Sequence, residues 1–163
     1  MTTSVRNALG ALCLSAMVGA PTTMNGEHAS FVQDARSRFV GSWRLVSLEH
    51  PGPDGSVEQA DCIGQFIFTA DGHAAVQVMY RKAGQAEATQ YAQGGYEATF
   101  GRYSVDGDTR TFTFHVDGAL VRTLIGQDLR RRYTFEGDRL IVEPSNKAER
   151  WRVVWTRDQA HRP

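Results

Sequence analysis

The chain has 163 residues, with 18 Lys and Arg against 18 Asp and Glu, so its formal net charge is zero. That length makes one domain, and a neutral chain without a basic block lacks the electrostatic footprint of a nucleic-acid binder. Hydrophobic residues at 41% supply a core, yet no apolar run reaches the roughly eighteen residues that a membrane-spanning helix needs.

Residues 1–29 read as a leader. Arg6 is the one charge before an apolar stretch from Ala8 to Ala20, an order and length that suit a secretory signal rather than an anchor. Val18, Gly19 and Ala20 offer small residues for cleavage, although Pro21 disfavours the bond directly after them. This places the protein in the periplasm or outside the cell; a start at Met17 or Met24 would make it cytoplasmic. Leu12 before Cys13 is too bulky for a lipid-anchor site.

The two cysteines, Cys13 and Cys62, could not stay bridged if the leader is removed. His28, His50, His73, His115 and His161 are scattered, and no Cys-x-x-Cys occurs. No metal site is readable from such spacing. There is no phosphate loop, dinucleotide fingerprint or nucleophile elbow either, so no cofactor is expected.

The folded part spans 30–158, followed by a tail at 159–163. A short N-terminal helix fits 30–39, capped by Ser30, with Phe31, Ala35 and Phe39 along one side. A strand at 41–49 runs into the turn-rich Pro51 to Gly55. Segments 62–70 and 73–80 form a hairpin, with Asp71-Gly72 as a two-residue turn that tolerates positive φ. That register sets Phe68 opposite Ala75, Phe66 opposite Gln77 and Gly64 opposite Met79, placing Phe66, Phe68, Gln77 and Met79 on one face.

The Ala- and Gln-rich stretch 81–94 has no strand pattern and reads as a loop with one helical excursion. Strands follow at 96–105 and 109–117 around Asp106-Gly107, then at 127–136, 139–143 and 150–157. In the second of these, Thr111, Thr113, His115 and Asp117 alternate with Phe112, Phe114 and Val116. Eight strands in near-continuous order predict an all-β, eight-stranded antiparallel meander β-barrel of lipocalin/calycin-like form. Closure removes the exposed edges of an open sheet, and eight strands enclose either packed side chains or one small ligand.

Several ordered segments resemble the bacterial and fungal family of lipocalin-like domain proteins. They are Gly41-Ser42-Trp43, Phe68 to Met79, Phe100 to Val105, Phe114 to Gly118, Arg131 to Leu140 and Val154 to Arg157, together covering about 38–157. The Gly-x-Trp at the first strand is also similar to that of true lipocalins. There the tryptophan closes the barrel floor beneath an arginine from the last strand, which implies Trp43 with Arg157 or Arg152. Two departures stand out. Where the family often has a histidine pair this chain reads Phe114-His115, and Ala119 to Gly126 lacks the proline and tryptophan often found there.

Two groups of residues are candidates for chemistry. His115 and Asp117 share a strand face, so the carboxylate can orient the imidazole as a general base; the plainer alternative is a wall histidine beside an Asp117-Gly118 turn. Phe66, Phe68, Gln77, Met79, Tyr103, Arg131 and Tyr133 form a candidate ligand-binding set. In it Arg131 would clamp a carboxylate or enolate, unless it serves a rim ion pair with Glu143. Trp43, Trp151 and Trp155 with Phe66, Phe68 and Phe112 form either a ligand cage or plain core. Three functions follow in order: a barrel binding a hydrophobic small molecule, a cofactor-independent isomerase, dehydratase or cyclase, and a packed structural envelope protein. The oligomeric state is not legible.

Overall fold

The computed structural model describes residues 35–52, 54–82 and 90–158. The expected leader at 1–29, the first half of the helix, half of the 81–94 excursion and the tail at 159–163 lie outside them. Within them the strands are β1 (Gly41–Pro51), β2 (Val57–Gln59), β3 (Cys62–Phe68), β4 (His73–Tyr80), β5 (Tyr96–Asp106), β6 (Thr111–Ala119), β7 (Asp128–Glu136), β8 (Arg139–Pro144) and β9 (Arg152–Arg157). Each pairs antiparallel with its neighbour in the order β2-β1-β3-β4-β5-β6-β7-β8-β9, and β1 also pairs with β9. The sheet therefore closes into an eight-stranded barrel, with the short β2 as an extra strand on the far end of β1. A helix at 35–39 precedes it, and a 3-10 turn at Arg122–Leu124 links β6 to β7. Neither β2 nor that turn is apparent from the sequence pattern.

Alternation sets what faces inward. Along β6, Phe112, Phe114 and Val116 are buried, while His115 is half-exposed and Asp117 exposed. In β1 the register slips between Leu45 and Ser47. This bulge inserts one residue and exchanges the faces, so Trp43 and Leu45 point inward before it, and Leu48 and His50 line the interior beyond it. A second bulge lies on β6 opposite Phe100 and Gly101 of β5, with Asp117 as the extra residue between Val116 and Gly118, and a side chain on Gly101 would collide there with the His115 carbonyl.

The β3–β4 hairpin departs from its expected register. Its loop has three residues, Ala70, Asp71 and Gly72: Thr69 N–H donates to the His73 carbonyl and Gly72 N–H to the Thr69 carbonyl. Gly72 takes φ +97, the left-handed last residue of a three-residue loop, and the Thr69 hydroxyl bonds to both Asp71 and the His73 N–H. Phe68 consequently pairs with Ala74, Phe66 with Val76 and Gly64 with Val78. Slipping a strand by one residue turns every side chain over. Gln77 and Met79 thus stand on the outer face, and Val76 and Val78 take their place inside.

One end of the barrel is solid. Phe39, fully buried, meets the rings of Phe68, Phe112, Tyr133 and Phe135 at 4.9–5.3 Å between centroids and that of Tyr103 at 6.2 Å. The Trp43 indole N–H donates to the Phe39 carbonyl at 2.7 Å. Arg157 from β9 lies 4.4 Å over the Trp43 ring and donates to the carbonyls of Arg38 and Val40 at 2.6 and 2.7 Å. Arg152 instead faces Glu49 at 3.5 Å. Of the two arginines, Arg157 is the one over the tryptophan.

Replacing Arg157 by leucine removes two hydrogen bonds to backbone carbonyls that the helix end cannot otherwise satisfy. We expect a loss of about 1–3 kcal/mol, seen as a lower urea midpoint at unchanged m-value. An unaltered midpoint would show that the floor closes without it.

Candidate functional site: a polar-ended hollow

Above the floor the barrel encloses a cavity of about 990 Å³. Phe66, Val76, Val78, Phe112, Phe114, Val142, Val153 and Trp155 wall its body, and Leu48, His50, Gly52, Glu58 and Arg150 line the end away from the floor. Such a volume suits a drug-sized molecule. The barrel is not packed solid, and the envelope-protein reading loses its basis.

Two charged side chains enter this apolar space. Arg131 is buried, because β7 alternates Leu129, Arg131 and Tyr133 inward against exposed Arg130 and Arg132. Its guanidinium carbon lies 4.9 Å from the ring centroids of both Tyr91 and Trp151. Its one ion pair among the described residues, with Glu149, is long at 4.0 Å, and Nη1 donates to the Arg130 carbonyl at 3.3 Å. Glu149 is itself well occupied, since its Oε2 accepts from the Tyr91 hydroxyl at 2.5 Å and the Trp151 indole at 2.9 Å. Burial pushes the Glu149 carboxyl up, but those two donors and the Arg131 charge outweigh it and hold the group below the ordinary range.

Glu97 is the second. It stands on the inward face of β5 with Thr99 and Tyr103, where burial pushes its carboxyl up to about 7 and the Arg131 charge offsets only part of that rise. It is partly accessible, and it lines the hollow. Tyr80 and Tyr91, both lining the hollow, are raised by burial to about 12, and the Cys62 thiol by burial and the nearby Asp61 and Glu97 to about 11. The phenols and the thiol stay protonated at neutral pH, so Cys62 is a poor nucleophile. The Trp155 indole N–H is buried with no acceptor among the described residues, a cost of about 1–3 kcal/mol.

A model of the lipocalin-like domain family matches residues 40–158. The chain belongs to that family. No curated protein matches it. For this lipocalin-like protein the family match covers the barrel itself, from the strand after the helix to the end of β9.

The expected site residues divide three ways. Phe66 and Arg131 line the hollow. Phe68, Tyr103 and Tyr133 belong to the floor cluster around Phe39, and Tyr103 donates to the Thr69 carbonyl at 3.0 Å. Gln77 and Met79 are outside, for the register reason above. Arg132, not Arg131, faces Glu143, at 3.8 Å.

His115 and Asp117 do share a face, but it is the outer one. His115 Nδ1 lies 2.6 Å from Asp128 Oδ1 on β7, its Nε2 3.7 Å from Asp117 Oδ1, and Arg102 reaches the same Asp117 oxygen at 3.3 Å. These exposed pairs carry little stability each. A base there cannot reach a molecule inside. No group of three or more His, Cys, Asp or Glu among the described residues could hold a metal ion, and no helix among them is long and apolar enough to cross a membrane.

In the sequence Glu97 reads as isolated and without a specific signal, and Tyr91 and Tyr80 stand in no candidate group. Strand parity nonetheless holds a clue to Glu97, because it lies six residues before Tyr103 on one strand and so shares its face. Its proton gives a measurable signature. An ordinary glutamate titrates near 4.5 and Glu97 near 7, so between these values the folded chain keeps a proton that the unfolded chain has lost. Stability therefore falls as pH rises through that window, by on the order of 2–3 kcal/mol. Glu97→Gln removes this penalty: the thermal midpoint rises by several degrees at about pH 8 and little at about pH 4. Equal shifts at both would mean that Glu97 is not buried as described.

Proposed function

We propose that this lipocalin-like protein holds an apolar small molecule inside its barrel. The observation that carries the reading is the 990 Å³ hollow, whose body is aliphatic and aromatic and whose polar groups gather at one end. An apolar guest gains about 25 cal/mol for each Å² it buries, before the costs of association. The aromatic rings present edges and faces to it, and the closed floor stops it passing through.

The alternative of a cofactor-independent isomerase, dehydratase or cyclase needs a base that meets the guest. Among the described residues the carboxyl with a near-neutral pKa inside the hollow is Glu97. That scheme would rest on Glu97 rather than on His115.

Titration with the neutral dye N-phenyl-1-naphthylamine tests the carrier reading. We expect a blue-shifted, saturable fluorescence rise in the intact chain. Val78→Trp, which fills the wall, should weaken it about tenfold or more, and His115→Ala, on the outer wall, should leave it unchanged. No rise with folded protein, or equal affinity in Val78→Trp, would refute binding in the hollow.

A further inference from the structure

A charged guanidinium inside an apolar wall needs an explanation, because burying it costs several kcal/mol unless it is well paired. Among the described residues Arg131 is poorly paired. A guanidinium has five N–H donors, more than the Arg130 carbonyl, Tyr91 and a carboxylate 4.0 Å away can take up. Two rings lie against it, each with its centroid 4.9 Å from the guanidinium carbon, and a guanidinium can grip a planar oxyanion through two parallel hydrogen bonds. Glu149 Oε2 is committed to the Tyr91 hydroxyl and the Trp151 indole, so it offsets the Arg131 charge from 4.0 Å but takes up little of the guanidinium's hydrogen-bonding capacity.

We propose that the guest of this hollow is an apolar monocarboxylic acid, its carboxylate held by Arg131 and its hydrocarbon body lying on Phe66, Phe114 and Trp155, with Glu97 as a second carboxyl whose charge competes with that of the guest. The proposal rests on the carrier reading and adds the head group and its control. Glu97 and Arg131 act on each other across the same space, so an ionised Glu97 neutralises part of the charge that attracts the guest. In a water-poor interior that competition is strong.

The sign follows from linkage. Protonated Glu97 favours the anionic guest and ionised Glu97 opposes it, so affinity falls as pH rises past about 7. Of the groups around Glu97, Tyr80 on β4, Cys62 on β3 and Tyr91 stay neutral through this range, with values of about 11 to 12. Arg131 on β7 stays charged. His50 on β1, with Glu58 and Arg150, lines the same hollow. The imidazole is therefore controlled for separately by His50→Gln.

The experiment displaces N-phenyl-1-naphthylamine from the full chain with dodecanoic acid and with dodecanol. The acid should displace the dye at about tenfold lower concentration than the alcohol at about pH 6. Arg131→Gln should erase that preference and leave the alcohol unaffected, while Arg131→Lys should restore part of it. Between about pH 6 and about pH 8.5 the acid should weaken severalfold in the intact chain and in His50→Gln, but not in Glu97→Gln. The Glu97 and His50 profiles stand even if the Arg131 variants fail to fold. Equal displacement by acid and alcohol overturns the head-group assignment, an unchanged slope in Glu97→Gln overturns the control by Glu97, and both leave the carrier reading intact. Failure of the dye itself to bind overturns both.

Discussion

The barrel depends on the contact where its last strand returns to its first. Arg157 stacks on Trp43 and takes the carbonyls of Arg38 and Val40, so one side chain ties β9, β1 and the end of the preceding helix together. The carbonyls at a helix end have no partners within the helix, and a guanidinium with several donors can satisfy two of them at once. The same junction holds Phe39 in place, since its carbonyl accepts from the Trp43 indole. With Phe39 seated among five other rings, that end has no room for a guest. A closed floor forces the hollow toward the other end.

Strand parity then decides which chemistry the hollow contains. Odd-numbered residues of β5 and β7 face inward, which brings in Glu97 and Arg131 and keeps out Arg130 and Arg132. The bulge in β1 changes parity midway, so Trp43 serves the floor while Leu48 and His50 line the hollow. Without that one extra residue, Glu49 would face inward in place of His50. The polar end is thus the product of where two strands begin and where a third is interrupted.

Much of this was legible in the sequence, and the failures have physical causes. The strand positions and the closed barrel could be read because alternation and turn residues are local signals, whereas the floor role of Trp43 came from the resemblance of its Gly-x-Trp to that of true lipocalins. The hairpin register could not. Asp71-Gly72 fits a two-residue turn, and equally the end of a three-residue one, and the Thr69 hydroxyl that bonds to Asp71 and His73 helps hold the longer form. One residue of ambiguity was enough to send Gln77 and Met79 to the wrong face. His115 and Asp117 were correctly placed together, yet local pattern does not say which face of a strand with apolar residues on one side meets a ligand. Glu97 escaped because its significance is not local: it comes from β7 supplying Arg131 to the same space.

A barrel selected for stability alone would have little reason to keep these two groups. Replacing buried charges by well-packed apolar residues of similar volume is often neutral or stabilising, and the aliphatic neighbours Val76, Val78 and Val142 show that such packing is available in this wall. An unfilled hollow forgoes the dispersion contacts of a packed core as well. The fold therefore carries three costs in one place: a void, a guanidinium with spare donors, and a carboxyl raised to about 7 by burial. A guest that fills the void and meets the guanidinium would offset two of them together. The third would then set the pH at which the guest is held. Sites that break the rules of stable packing are where function is expected to lie, and in this barrel the breaches converge on the space around Arg131.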